Sequence, residues 1–144
     1  MPFTIEEKEK SIFIKATAKK HTELFIETAR ALFGCIYDSE HIRGRDRIKI
    51  VVDAPSMHEL LHAWLQELVT RNSIHKMAFS EFSVASIQKI NDTQYLLTGA
   101  AYGEQDDPPT HTVLKKIKEI RNNSCNCTEQ EGSTVACEYE VVLA

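Results

Sequence analysis

Five residues near the middle of the chain, His58-Glu59-Leu60-Leu61-His62, have the HExxH spacing of zinc peptidases. On a helix, His at i and i+4 share a face and can both reach a zinc ion, with the Glu as general base. Such a site needs a third ligand, and neither a Glu-rich second helix nor a HExxHxxGxxH extension follows. The residues just before offer another use for the glutamate. Ser56-Met57-His58-Glu59 is a capping box, in which the Ser hydroxyl serves one end of the first turn and the Glu carboxylate reaches back to the other. The pattern therefore predicts two histidines at the edge of a core helix with no bound zinc, and the zinc peptidase ranks third among three functional readings.

Cys125-Asn126-Cys127 together with Cys137 are three candidate ligands for a soft metal. A hairpin turn at Glu131-Gly132-Ser133 makes Cys127 and Cys137 cross-strand neighbours and puts Cys125 on the same face as Cys127. Thiols also serve as small apolar core residues, and no second CxxC pair accompanies these. No apolar stretch is long enough to span a bilayer, and the charged segment Met1–Lys10 lacks a signal-peptide core. The chain thus reads as cytoplasmic, without membrane attachment, and its four cysteines are expected as reduced thiols.

Lys115, Lys116 and Lys118 form a small basic cluster. Strand alternation puts Lys116 and Lys118 on one face and Val113, Lys115 and Ile117 on the other, which makes the cluster a solvated strand surface or a docking point for RNA or an acidic partner. Asp106-Asp107, near Glu104, is a candidate divalent-cation loop or a solvated acidic turn. The formal net charge of −4 and the absence of a basic run argue against autonomous binding of nucleic acid, which needs clustered Lys and Arg. RNA is expected to be held, if at all, through a partner. No Ser-His-Asp order, nucleophile elbow or phosphate-cradling glycine loop is present, so no catalytic machine is proposed.

The elements that must position these residues follow from periodicity. A chain of 144 residues, 42% apolar and 26% charged, is one ordinary globular domain, residues 1–144. Ile12, Ile14 and Ala16 alternate with Phe13 and Lys15 as a strand. Leu24, Phe25, Thr28, Ala29, Leu32 and Phe33 share a helix face, with Thr22 as its expected cap and Gly34 as its expected left-handed end. Ile48, Ile50 and Val52 form a second strand, ended by Pro55. Met57, Leu60, Leu61, Trp64, Leu65 and Leu68 form the most continuous apolar helix face. Strands then follow around Phe82–Ile87, where alternation slips near Ser86, and at Tyr95–Tyr102, ended by Gly103. Val113–Ile120, Cys125–Cys127 and Val135–Leu143 complete the series. The order predicts an α+β two-layer sandwich, β-α-β-α followed by antiparallel strands, with two helices on one face of a mixed sheet.

Taken together, the segments resemble the archease family. The opening strand and helix, Ile12–Ala16 and Glu23–Phe33, are of the family's kind. Leu60-Leu61-His62-Ala63-Trp64-Leu65-Gln66-Glu67-Leu68 is similar to its LLxxWLxEL helix. Phe79-Ser80-Glu81-Phe82 and Gly99-Ala100-Ala101-Tyr102-Gly103-Glu104 follow in family order, as do His111 and Ile117-Lys118. The resemblance implies a non-catalytic accessory protein that promotes guanylylation and turnover of an RtcB-type ligase joining tRNA halves. Glu104, His111, Lys116 and Lys118 are the candidate partner contacts. The resemblance also implies a divalent, calcium-like cation held by an Asp in an N-terminal His-Thr-Ala-Asp motif and an Asp close to the C-terminus. Here those positions carry Ser11 and Ala144, and Arg121-Asn122-Asn123 replaces the family's Thr-Tyr-His. A hydroxyl and a methyl are poor ligands for a hard cation, so no metal ligand or cofactor is assigned. The runner-up reading keeps the fold as an interaction module without metal-dependent activation.

Overall fold

Ile12, Ile14 and Ala16 are buried, and the strand that carries them lies inside a sheet. In the computed structural model, which describes residues 3–38, 42–105, 114–121, 123–130 and 134–144, two helices and eight strands follow one another. They are β1 (Phe3–Glu7), β2 (Ser11–Ala18), α1 (His21–Ile36), β3 (Asp46–Ala54), α2 (Met57–Ile74) and β4 (Met77–Asn91). β5 (Gln94–Gln105), β6 (Ile117–Ile120), β7 (Asn126–Gln130) and β8 (Thr134–Leu143) complete the order.

The α+β class holds, with the β-α-β-α order and the later antiparallel strands. The expected single mixed sheet is instead two antiparallel sheets. The reason lies in the two crossovers: β2 enters one sheet and β3, after α1, enters the other, while β3 and β4, joined by α2, share a sheet but have β5 between them, so neither β-α-β passage makes a parallel neighbour. One sheet has the order β3-β5-β4. The other runs β1-β2-β8, and β6 and β7 share the far edge of β8. β6 pairs with its Val141–Leu143 end and β7 with Thr134–Glu138. Each helix touches both sheets, and one apolar core lies against all of them.

Helix α2 begins as its sequence dictates. The Ser56 hydroxyl accepts the Glu59 N–H at 3.2 Å and donates to the Glu59 carboxylate at 3.3 Å. Leu60, Leu61, Trp64, Leu65 and Leu68 are all fully buried. The Trp64 indole N–H donates to the Phe25 carbonyl at 3.0 Å, and the Tyr139 hydroxyl donates to the Thr28 carbonyl at 2.7 Å. Two buried polar groups thereby find acceptors on the α1 backbone and fix α1 against both α2 and β8.

Helix α1 differs from expectation at both ends. Its N-cap is Lys20, with no side-chain cap bond, and Thr22 lies inside the first turn. Gly34 does not end it: the helix runs on to Ile36 because Cys35 and Ile36 are buried. That burial outweighs the ~1 kcal/mol helix penalty of an interior glycine. Gly103 likewise sits within β5 rather than at its end. A Cβ there would collide with the Ala78 carbonyl, so the close backbone approach of β4 demands glycine. The slip in alternation near Ser86 is a β-bulge, with a register shift between Val84 and Ser86.

Candidate functional site

On α2, His58, His62 and Gln66 recur at intervals of four and border the buried stripe. All three meet the backbone at the open edge of the five-stranded sheet. His58 Nδ1 accepts the Cys127 N–H of β7 at 2.7 Å. His62 Nε2 lies 3.4 Å from the Ile120 carbonyl of β6, and Gln66 Oε1 accepts the Ile120 N–H at 3.3 Å. An unpaired sheet edge presents orphan N–H and C=O groups, and here a row of helix side chains satisfies some of them. The HExxH spacing and the edge closure share one cause: i and i+4 on a helix lie above each other, along a strand edge as readily as around a zinc ion. Glu59 is committed to the cap. Among the described residues no group of three His, Cys, Asp or Glu side chains is placed to hold a metal ion.

We expect His58→Ala with His62→Ala to lower stability by about 1–2 kcal/mol, from lost edge hydrogen bonds. A chelator should leave the stability of the unsubstituted protein unchanged. One zinc per chain by elemental analysis, lost in the double variant, would revive the peptidase.

Beside this row lies a cleft of about 550 Å³ lined by His58, Glu59, His62, Asn123, Ser124, Cys125, Asn126 and Glu138. It opens where β8 passes from β7 to β6. There Ser124 fills the break: its hydroxyl donates to the Arg121 carbonyl at 2.7 Å and accepts the Glu140 N–H at 3.1 Å. Asn123 takes the left-handed conformation, φ 62°, that this tight connection requires. The Arg121 guanidinium pairs with the Glu140 carboxylate at 2.6 Å.

The cysteines require a correction. Cys127 and Cys137 are cross-strand partners, as the spacing predicts, but they form a disulfide rather than a pair of reduced thiols. Directly opposed strand residues bring their Cβ atoms within bridging reach. The bond removes two of the three sulfurs from the candidate soft-metal set. Cys125 and Cys35 keep free thiols. Burial pushes the Cys125 thiol up to about 12, against a smaller lowering by its hydrogen bond to Ser124. Nucleophilic sulfur is thiolate, so native Cys125 should be alkylated at pH 8 at least ~10-fold more slowly than in denaturant. Equal rates in mass-spectrometric labelling would show an open thiol. The same upward shift makes the folded state lose stability as pH rises from 9.0, the ordinary thiol value, towards 12.

Of the candidate partner contacts that are described, Glu104 belongs to one sheet and Lys116 and Lys118 to the edge of the other. Glu104 stands on β5, where its carboxylate lies 3.7 Å from Arg45 Nε. Lys116 and Lys118 are exposed at and beside β6, with Ile117 half-buried between them. Lys118 is the unpaired residue of a bulge between Ile117 and Glu119. Lys115 turns instead to Glu7, at 3.4 Å. His111, Asp106, Asp107, Val113, Asn122 and the turn at Glu131-Gly132-Ser133 lie outside the described residues.

Ser11 and Ala144 come to one end of the sheet. β2 and β8 pair along their length, with Ser11 opposite Val142. The Leu143 N–H donates to the Lys10 carbonyl at 3.0 Å, and the Ala144 N–H to the Lys116 carbonyl at 3.1 Å. The side chains there are a largely buried hydroxyl and a methyl. This donor set does not suit a hard divalent cation, which takes anionic oxygens.

Residues 5–143 match the archease protein family. The chain belongs to the archease family. Among curated relatives, the protein archease of Methanopyrus kandleri is 32% identical over 121 residues, 84% of each chain. That of Pyrococcus furiosus is 36% identical over 98 residues, 68% of each chain. The solution structure of Methanobacterium thermoautotrophicum protein 1598 covers 99% of both chains with a TM-score of 0.85 at 19% identity, so the fold is shared. Within the archease fold, sequence reasoning missed Gln66 and the edge-closing role of its two histidines. A polar residue four positions after His62, on the border of the apolar face, was the available signal.

Proposed function

We propose that this member of the archease family is a non-catalytic accessory protein that promotes guanylylation and turnover of an RtcB-type RNA ligase in tRNA splicing. The observation that carries the reading is the family match over residues 5–143. The acidic balance supports contact with RNA through the ligase rather than directly. No helix among the described residues is long and apolar enough to cross a membrane, and we place the activity in the cytoplasm. Glu104, His111, Lys116 and Lys118 are the proposed partner contacts. Labelled GTP incorporated into an RtcB-type ligase, with and without this chain, tests the reading. Faster guanylylation is expected; an unchanged rate without complex formation would sink it.

A second reading is favoured by Ser11 and Ala144 at the family's cation positions. In it the fold is kept as an interaction module and the metal-dependent step is lost. Complex formation with the ligase without acceleration is its signature.

A further inference from the structure

β7 is anchored by little besides one bond. Of Asn126-Cys127-Thr128-Glu129-Gln130, Cys127 alone is half-buried and the other four are exposed. The strand therefore contributes almost no apolar burial to hold itself in place. Its attachments are the ladder to Thr134–Glu138 of β8, the Cys127–Cys137 disulfide and the Cys127 N–H donated to His58 Nδ1. β8 is held independently, since β2 pairs with it from Val135 to Val142 and Tyr139 ties it to α1. The chain entering β7, Asn123 to Asn126, forms one wall of the cleft whose other wall is His58, Glu59 and His62.

We propose that Cys127–Cys137 is a reversible thiol–disulfide exchange site, with a small thiol such as glutathione as reactant, and that its reduction releases β7 and with it the Asn126 end of this wall, while Ser124 stays tied to Arg121 and Glu140. The inference does not depend on the ligase reading. A thiolate RS⁻ attacks the Cys127 sulfur, the S–S bond breaks, and Cys137 leaves as a thiolate that takes a proton. A second RS⁻ attacks the RS sulfur of the mixed disulfide, giving RSSR and a Cys127 thiolate that is also protonated. Two thiols are thereby oxidised and one protein disulfide is reduced by two electrons. Cys127 is the point of attack because it is half-buried, whereas Cys137 is 2% exposed. Cys125, held as a neutral thiol by burial, is a weak internal competitor, so exchange runs through the external thiol. With the bond open, the ladder, the hydrogen bond to His58 and a long contact of the Cys127 sulfur with the Met57 carbonyl at 4.0 Å remain, and short exposed edge strands of that kind fray.

Amide hydrogen exchange on the full chain, in oxidised and then reduced glutathione, tests this. On reduction the amides of 126–130 should exchange about tenfold faster or more, while those of 11–18 in β2 stay protected. Return to oxidised glutathione should restore the protection. A Cys127→Ala, Cys137→Ala variant should exchange like the reduced protein in both buffers. Four free thiols after exposure to oxidised glutathione would overturn the proposal. So would equal protection of β7 in both states, or loss of protection spreading through β2, which would make the bond a staple of the whole fold.

Discussion

Replacing Trp64 with alanine should destabilise the protein by about 3–5 kcal/mol, a large share of the stability of a domain this size. The indole is fully buried on α2, and Leu60, Leu61, Leu65 and Leu68 of the same helix are fully buried as well. A dense surround relaxes only partly into the space left behind, so a cavity adds to the lost transfer energy. The indole N–H also holds the Phe25 carbonyl at 3.0 Å, so the substitution loosens the α1–α2 contact. Trp64→Phe keeps much of the volume but removes this donor, and should cost less. Urea unfolding of both variants measures the two contributions. A neutral Trp64→Ala would mean that the buried face of α2 is misassigned.

Restoring carboxylates at the paired chain ends should produce the largest change in ligand binding. Ser11 lies opposite Val142, and Ala144 follows two residues later. Ser11→Asp combined with Ala144→Asp, extended by one Ile, places two anionic side chains at one end of the β2–β8 pair. Calcium or manganese affinity by calorimetry should rise by about tenfold or more, because hard cations are held by charged oxygens. Either substitution alone should do less. If the unsubstituted protein already binds the cation tightly, other acids hold it; Glu104, Asp106 and Asp107 are the first to replace.

Where side chains alternate between core and solvent, the sequence was readable. The α2 stripe, the β2 alternation and the slip at Ser86 all arise because burial selects residue type at a fixed period. β1 escaped notice for the opposite reason. It is an edge strand whose Thr4, Ile5, Glu6 and Glu7 are exposed, so pairing with β2 defines it and no apolar period marks it. The division into two sheets was hidden because periodicity reports which face of a strand is buried and says nothing of which strand lies beside it. Gly34 and Gly103 misled because glycine signals a helix or strand end only when the next residues are not themselves buried or closely packed. At the site, the spacing of His58 and His62 was legible but its purpose was not. A helix pair at i and i+4 fits a metal or a strand edge equally, and the contacts to β6 and β7 come from strands whose position the spacing does not report. The disulfide was likewise half legible: the hairpin brought Cys127 to Cys137, while the expected compartment argued for thiols.

The most direct test of the central proposal is multiple-turnover RNA joining by an RtcB-type ligase, with the ligase limiting and the RNA ends in excess. With this protein present, product should accumulate well beyond one equivalent per ligase, and Lys116→Glu with Lys118→Glu should weaken the effect without unfolding the chain. If ligation stops at one equivalent with or without the protein, while a cognate archease restores turnover in the same assay, this chain is not a ligase activator and the proposed function is wrong.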